Sequence, residues 1–202
     1  MKYDIITFGS ATRDFFLKSP NFKIVGEKKF ITGKGLCLSL GSKIEVEDIY
    51  FSIGGGGTNT AVAFANQGFK VAYCGMLGKD VAGEEILEEL KKFRVDTKFI
   101  VKTNSKPTNL SVILSSQGKE RTILVYRGAS SELLKKDIPW SHLKANWFYI
   151  APLSGKLAKL FEVLVDFAKK NKIKVVANPG NSQLSLPKKT LEKILKKIDI
   201  LI

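Results

Sequence analysis

Gly54-Gly55-Gly56-Gly57-Thr58-Asn59 joins two segments of different periodicity. Ahead of it, Glu45 to Ile53 carries enough β-branched and aromatic residues to predict a strand. Behind it, Ala61, Phe64 and Ala65 recur at helical spacing within Thr60 to Gln67, and Gly68 supplies a stop signal. A second strand is then predicted from Val71-Ala72-Tyr73-Cys74. The glycines therefore connect a strand to a helix. A flexible linker is the plain alternative for a glycine run, but ordered periodicity on both flanks argues against it.

Four consecutive glycines remove every Cβ from one face of the loop and make φ > 0 available at each step, so a ligand can approach the main chain closely. Thr58 and Asn59 fall where the helix is expected to begin. N–H groups of that first turn would then be free to point at whatever sits in the loop, and Asn59 adds a donor and an acceptor. No Gly-Lys-Ser or Gly-Lys-Thr closes the run, so it is not a Walker-type loop; Gly33-Lys34-Gly35, followed by Leu36, fails the same test.

Working outward, 202 residues suit one domain with a sizeable core. A hydrophobic content of 44% with 26% charged residues fits a soluble globular chain. No apolar run approaches the ~20 residues of a membrane span, and Met1 to Ile6 passes straight into a strand pattern without a signal peptide, so no membrane partner and a cytoplasmic location are expected. Cys37 and Cys74 form neither a disulfide framework nor a metal-ligand spacing. With His142 the sole histidine, His-dependent triads and His-rich metal sites are disfavoured. A net charge of +14 would suit a polyanion. The lysines between Lys169 and Lys197, however, mostly alternate with apolar residues as on solvated helix faces, so no nucleic-acid partner is expected and a phosphate-bearing small ligand fits as well.

Asp4-Ile5-Ile6-Thr7-Phe8-Gly9 reads as a buried first strand. Asp14 follows just past its carboxyl end, where open α/β sheets bind ligands; its alternative role is that of a turn or cap residue. Leu36 to Leu40 and Lys43 to Val46 look like short β pieces. A hairpin is predicted from Thr108–Leu114 and Arg121–Tyr126 across Ser115–Glu120, and the two pairs together are expected to form one small sheet standing off the main one. Between them, Asp80 to Phe93 reads as a helix with glutamates early and Lys91-Lys92 late. Strands are predicted at Lys98–Val101, Trp147–Ile150 and Lys174–Asn178. One helix face runs from Leu157 to Ala168 and a last helix from Leu191 to Ile198. The chain closes on Asp199-Ile200-Leu201-Ile202, an apolar strand that reads as a cut, because a parallel central strand needs neighbours on both sides.

This order of motifs resembles the ribokinase-like (PfkB family) carbohydrate kinases. Gly55-Gly56-Gly57-Thr58-Asn59-Thr60-Ala61 with Gly68 and Gly78 fits their first signature, and Gly9 to Asp14, Gly78 to Gly83 and Arg127-Gly128-Ala129 agree with it. The resemblance implies a three-layer, Rossmann-like α/β sheet over residues 1–202 with helices on both faces, C-terminally incomplete. It also implies a small β lid from segments at about 30–53 and 107–127. The implied activity is ATP- and Mg²⁺-dependent phosphorylation of a sugar or nucleoside hydroxyl. Asp14 and Asn59 match positions that bond sugar hydroxyls, and Gly55 and Gly56 match the loop against which the sugar lies. Asn178 matches a polar strand end near the nucleotide, and Arg127 either faces a phosphate or is an exposed hairpin-end arginine. The second signature, with its anion hole and catalytic Asp, would lie beyond Ile202, so no catalytic residue is expected in this chain; a non-catalytic sugar-binding half-domain is the alternative. Two departures stand out: Gly56 where some sugar kinases carry Lys, and Arg94 where Gly commonly precedes Val-Asp at a helix exit that prefers φ > 0. A lid with free edges also invites pairing between two copies.

Overall fold

The computed structural model describes residues 2–116 and 120–202, so the middle of the expected Ser115–Glu120 turn lies outside the described residues. The strands are β1 (Tyr3–Phe8), β2 (Thr12–Lys18), β3 (Lys23–Gly26), β4 (Lys34–Cys37), β5 (Asp48–Gly54), β6 (Val71–Gly78), β7 (Asp96–Thr103), β8 (Asn109–Ser115), β9 (Arg121–Tyr126), β10 (Ala145–Ile150), β11 (Lys174–Ala177) and β12 (Ile200–Leu201). The helices are α1 (Gly56–Asn66), α2 (Val81–Lys92), α3 (Gly155–Ala158), α4 (Phe161–Lys170), α5 (Asn181–Leu184) and α6 (Lys188–Leu195). The chain divides into two compact units.

The first unit holds residues 1–13, 53–109 and 127–202. Its sheet has the order β12-β11-β10-β1-β6-β7, and every pairing in it is parallel. Strands buried on both faces need apolar residues at successive positions, and β6 has all eight of its residues buried. On one face Ile6, Phe8, Ala72, Cys74, Phe148 and Val175 pack with Phe161, Leu164, Val165 and Ala168 of α4 and Ile194 of α6. On the other, Val71, Tyr73 and Leu77 pack with Ala61 of α1 and Ile86, Leu87 and Leu90 of α2. The three-layer α/β expectation therefore holds. At the head of α2 the Asp80 carboxylate accepts the N–H of Gly83 at 2.8 Å and bonds both the N–H and the hydroxyl of Thr108 at 2.7 Å.

The second unit holds residues 14–52 and 110–126. The expected hairpin is present as an antiparallel pair, Leu110 opposite Tyr126 and Ser115 opposite Arg121. It belongs to a four-stranded sheet ordered β5-β2-β8-β9, while β3 and β4 form a separate two-stranded ribbon. The expectation of one small sheet is corrected on this point, because β2, for which no strand was expected, is a full strand, with Phe15 edge-on to Phe51 and Phe16 stacked on Tyr50. Lys43 to Val46 is not a strand.

Three further elements differ from expectation. The strand before the glycines starts at Asp48, leaving Glu45 to Glu47 irregular, and the last helix lies at Lys188–Leu195, earlier than Leu191–Ile198. The expected helix over Leu157–Ala168 is broken: the N–H groups of Lys159 and Leu160 donate to carbonyls three residues back, at 3.1 and 3.0 Å, before α4 begins. That tighter turn keeps Leu157, Leu160 and Phe161 on the core side, so an unbroken apolar stripe did not reveal it.

Candidate functional site at the carboxyl edge of the parallel sheet

From β1 the chain leads outward to β6 and β7 on one side and then returns to β10 on the other, so the strand order reverses between β1 and β10. Open α/β sheets bind ligands outside the carboxyl ends of strands at such a point. Here those ends are Gly9-Ser10 after β1, Ala151-Pro152 after β10 and Asn178 after β11, and the glycine run packs against the first two.

The helix begins earlier than the sequence suggests. Gly55 is the N-cap residue and Gly56 the first helical residue, so Gly56 and Gly57 lie inside the first turn. Of the run, Gly55 alone uses the positive φ that is available at each step, at 102°. The N–H groups of the first turn are not free either. Gly57 donates to the Ser10 carbonyl at 3.0 Å, Thr58 to the same oxygen at 3.4 Å, and Gly56 to the Ser10 hydroxyl at 3.3 Å. Ser10 therefore occupies the backbone site predicted for a ligand.

The missing Cβ atoms likewise make room for protein. A Cβ on Gly55 would meet the Ser10 carbonyl oxygen at 2.4 Å, one on Gly56 the Ala151 Cβ at 2.9 Å, and one on Gly57 the Tyr73 ring at 2.6 Å. Tyr73 donates its hydroxyl to the Gly9 carbonyl at 2.9 Å, and Thr7 donates to the Gly57 carbonyl at 3.0 Å. Burial pushes the Tyr73 phenol up and the Cys74 thiol up to about 12, so both are neutral structural groups. Ser10, Thr7 and Tyr73 were missed from sequence; the small residues Gly9-Ser10-Ala11 directly after a strand were the available signal for the first of them.

What the run leaves for a ligand is the Asn59 side chain. Its backbone N–H donates to Gly55 at 2.9 Å, while its side chain is exposed and makes no hydrogen bond among the described residues. Asn178 follows β11 with its N–H tied to the Ile150 carbonyl at 2.9 Å, partly buried at the same edge. Arg127 is exposed and in no ion pair among the described residues.

Asp14 opens the second unit and lies within β2, so its alternative role as a turn or cap residue does not hold. Its Oδ1 atom is buried with no hydrogen-bond partner among the described residues. Burial raises the carboxyl above its usual range, opposed by a hydrogen bond from Ser111. An unpaired buried carboxylate oxygen is costly unless something satisfies it.

Comparison with known proteins bears on this arrangement. The ribokinase of Haemophilus influenzae is 27% identical over 207 aligned positions, covering 100% of this chain and 60% of the relative. That of Staphylococcus aureus is 28% identical over 166 positions, 80% of this chain and 52% of the relative. The chain thus spans about 60% or less of the length of these curated relatives. Among solved structures, Arabidopsis thaliana ribokinase complexed with ribose and ATP matches with a TM-score of 0.76 at 20% identity, over 100% of this chain and 60% of that one. Xylella fastidiosa fructokinase with bound ATP matches with a TM-score of 0.73 at 21% identity, over 100% of this chain and 61% of that one. At these identities the structures establish the shared ribokinase-like fold. The sequence pattern of the pfkB family carbohydrate kinases, in turn, runs along residues 4–202, so that the glycine-led junction, the parallel sheet and the hairpin all fall inside one match: the chain belongs to the pfkB family of carbohydrate kinases.

Proposed function

We propose that the chain carries the acceptor-binding part of an ATP-dependent kinase that phosphorylates a hydroxyl of a sugar or nucleoside. The observation that carries this reading is the buried, unpartnered Oδ1 of Asp14. A carboxylate oxygen held this way gains most from a hydroxyl donor, and a sugar supplies several. The unbonded Asn59 amide is the second expected hydroxyl contact. Gly55 and Gly56 act by keeping Ser10 and Ala151 close, so their role toward the sugar is to position the loop. Relatives that bind ribose, ATP and ADP support the substrate class and the phosphate donor.

ATP fits the family, with Asn178 and Arg127 as the nucleotide-side or phosphate contacts. Mg²⁺ would enter with the nucleotide phosphates and supply charge neutralisation there, and no residue of this chain is assigned to it. Phosphoryl transfer requires a group to accept the hydroxyl proton and donors facing the transferred charge. We assign neither role to a residue of this chain. The alternative, a sugar-binding half-domain without catalysis, uses the same Asp14 and Asn59. The protein is read as cytoplasmic; no helix among the described residues is long and apolar enough to cross a membrane. Exposed Tyr50 and Phe51 on β5 and Leu124 and Val125 on β9 support pairing of two copies through the second unit.

Titration of D-ribose into the protein, followed by calorimetry, tests the reading. Saturable binding that drops in Asp14→Asn and in Asn59→Ala is expected. Ribose binding that is identical in all three proteins would remove both residues from the site, and ribose-dependent ATP turnover separates the kinase from the half-domain.

A further inference from the structure

A second cleft, of about 590 Å³, lies on the first unit away from the glycine loop, lined by Lys98, Phe99, Pro139, Ser141, His142 and Lys144. Lys144 directly precedes β10, whose other end carries Ala151 at the carboxyl edge. At ~3.3 Å per residue along β10 the two edges stand roughly 20 Å apart. The cleft is thus separate from the glycine loop and Asn178 at the carboxyl edge of this unit.

Its lining is cationic over an apolar floor. Lys98 is held in place: its ammonium lies 4.7 Å from the Tyr3 ring centroid and 5.0 Å from that of Phe99, with Asp96 at 3.7 Å. Asp96 is the one carboxylate paired with these cations among the described residues, and it is already engaged by the Tyr3 hydroxyl at 2.5 Å and the Lys98 N–H at 2.9 Å. Lys144 and His142 have no carboxylate within ion-pair distance among the described residues; His142 shares a hydrogen bond only with the Ser141 hydroxyl, at 3.1 Å. Two ammonium groups against one committed carboxylate leave net positive charge, and imidazole and hydroxyl groups add donors. Pro139, partly exposed, gives the cleft an apolar wall that an inorganic anion would not use, with the buried Phe99 behind it.

We propose that this cleft is a binding site for a small organic phosphate: the phosphate group lies between Lys98 and Lys144 with Ser141 and His142 as donors, and the organic body rests on Pro139. A phosphate fits two ammonium groups because each can donate to a separate oxygen. The site is independent of the acceptor reading and stands if that reading fails.

Phenyl phosphate is the probe, titrated calorimetrically into the 202-residue protein. One site per chain is expected, with affinity reduced about tenfold in Lys98→Ala/Lys144→Ala. The single variant Lys144→Gln, which changes only an exposed side chain, should lose about threefold. Lys188→Ala/Lys189→Ala on α6 removes the same charge elsewhere and should bind as the parent does. Inorganic phosphate should bind more weakly than phenyl phosphate. An absence of saturable binding at millimolar probe, or an equal loss in both double variants, overturns the site. Equal affinity for the two probes overturns the assignment of an organic ligand.

Discussion

Alanine at position 55 should destabilise the protein by about 2–5 kcal/mol. Gly55 has φ 102°, where a Cβ brings strain of about 1–2 kcal/mol. The same Cβ would stand 2.4 Å from the Ser10 carbonyl oxygen and 2.9 Å from the Ala11 Cα, both backbone atoms that cannot swing aside. Overpacking of that kind adds about 1–3 kcal/mol. Moving Ser10 away offers no cheaper route, because its carbonyl accepts the N–H groups of Gly57 and Thr58 and its hydroxyl that of Gly56. Gly68 is the internal control: it also has positive φ, at 86°, but a Cβ there meets nothing within 4 Å. Gly68→Ala should therefore lose only the strain, about 1–2 kcal/mol. For a chain of this size 1 kcal/mol moves the melting midpoint by about 2–4 °C, so thermal unfolding followed by circular dichroism should separate the two variants by about 2–12 °C. Equal shifts would refute the claim that the glycine run is packed against Ser10, and would return the loop to the role of an open backbone surface.

Three further outcomes are expected. Arg94 holds φ 59° at the exit of α2, so Arg94→Gly should stabilise the protein by about 0.5–1 kcal/mol, read from the denaturation midpoint; a loss of stability would count against relief of backbone strain. The Asp14 carboxyl is raised by burial, so its native state favours the proton, and stability present below the unfolded pKa is lost as pH rises through the folded one. Asp14→Asn should accordingly be more stable than the parent at neutral pH and equal to it in acid, and a parent that is the more stable at pH 7 would contradict this. Asp80 is shifted the opposite way: desolvation pushes its carboxyl up, but hydrogen bonds from Thr108 and Gly83 outweigh it and leave it depressed. Its contribution should be present above the unfolded pKa and lost as pH falls through the folded one, so the gap between parent and Asp80→Ala, about 1–2 kcal/mol at pH 7, should narrow in acid unfolding curves.

The order of strands and helices in the first unit could be read from the sequence because each element carries its own period. The eight buried residues of β6 and the stripe on α2 are consequences of local composition. Arg94 was legible for the same reason, since a helix exit restricts φ through adjacent atoms alone. The candidate residues Asp14 and Asn59 were found from motif position, whereas the state of their side chains was not. That Oδ1 of Asp14 is buried without a partner depends on atoms distant in sequence, and so does the exposure of Asn59.

Sequence by itself determined that a glycine run joins a strand to a helix in a chain built around a parallel α/β sheet, because periodicity and the absence of Cβ atoms are properties of neighbouring residues. Only the tertiary structure decided what that run touches. Ser10, 46 residues before Gly56, takes the N–H groups left over by the first helical turn, and Tyr73, 64 residues after Gly9, fixes the facing carbonyl. Free backbone donors and missing side chains advertise a vacancy; which group fills it, ligand or protein, is set by the packing of strands that are adjacent in the sheet and remote along the chain.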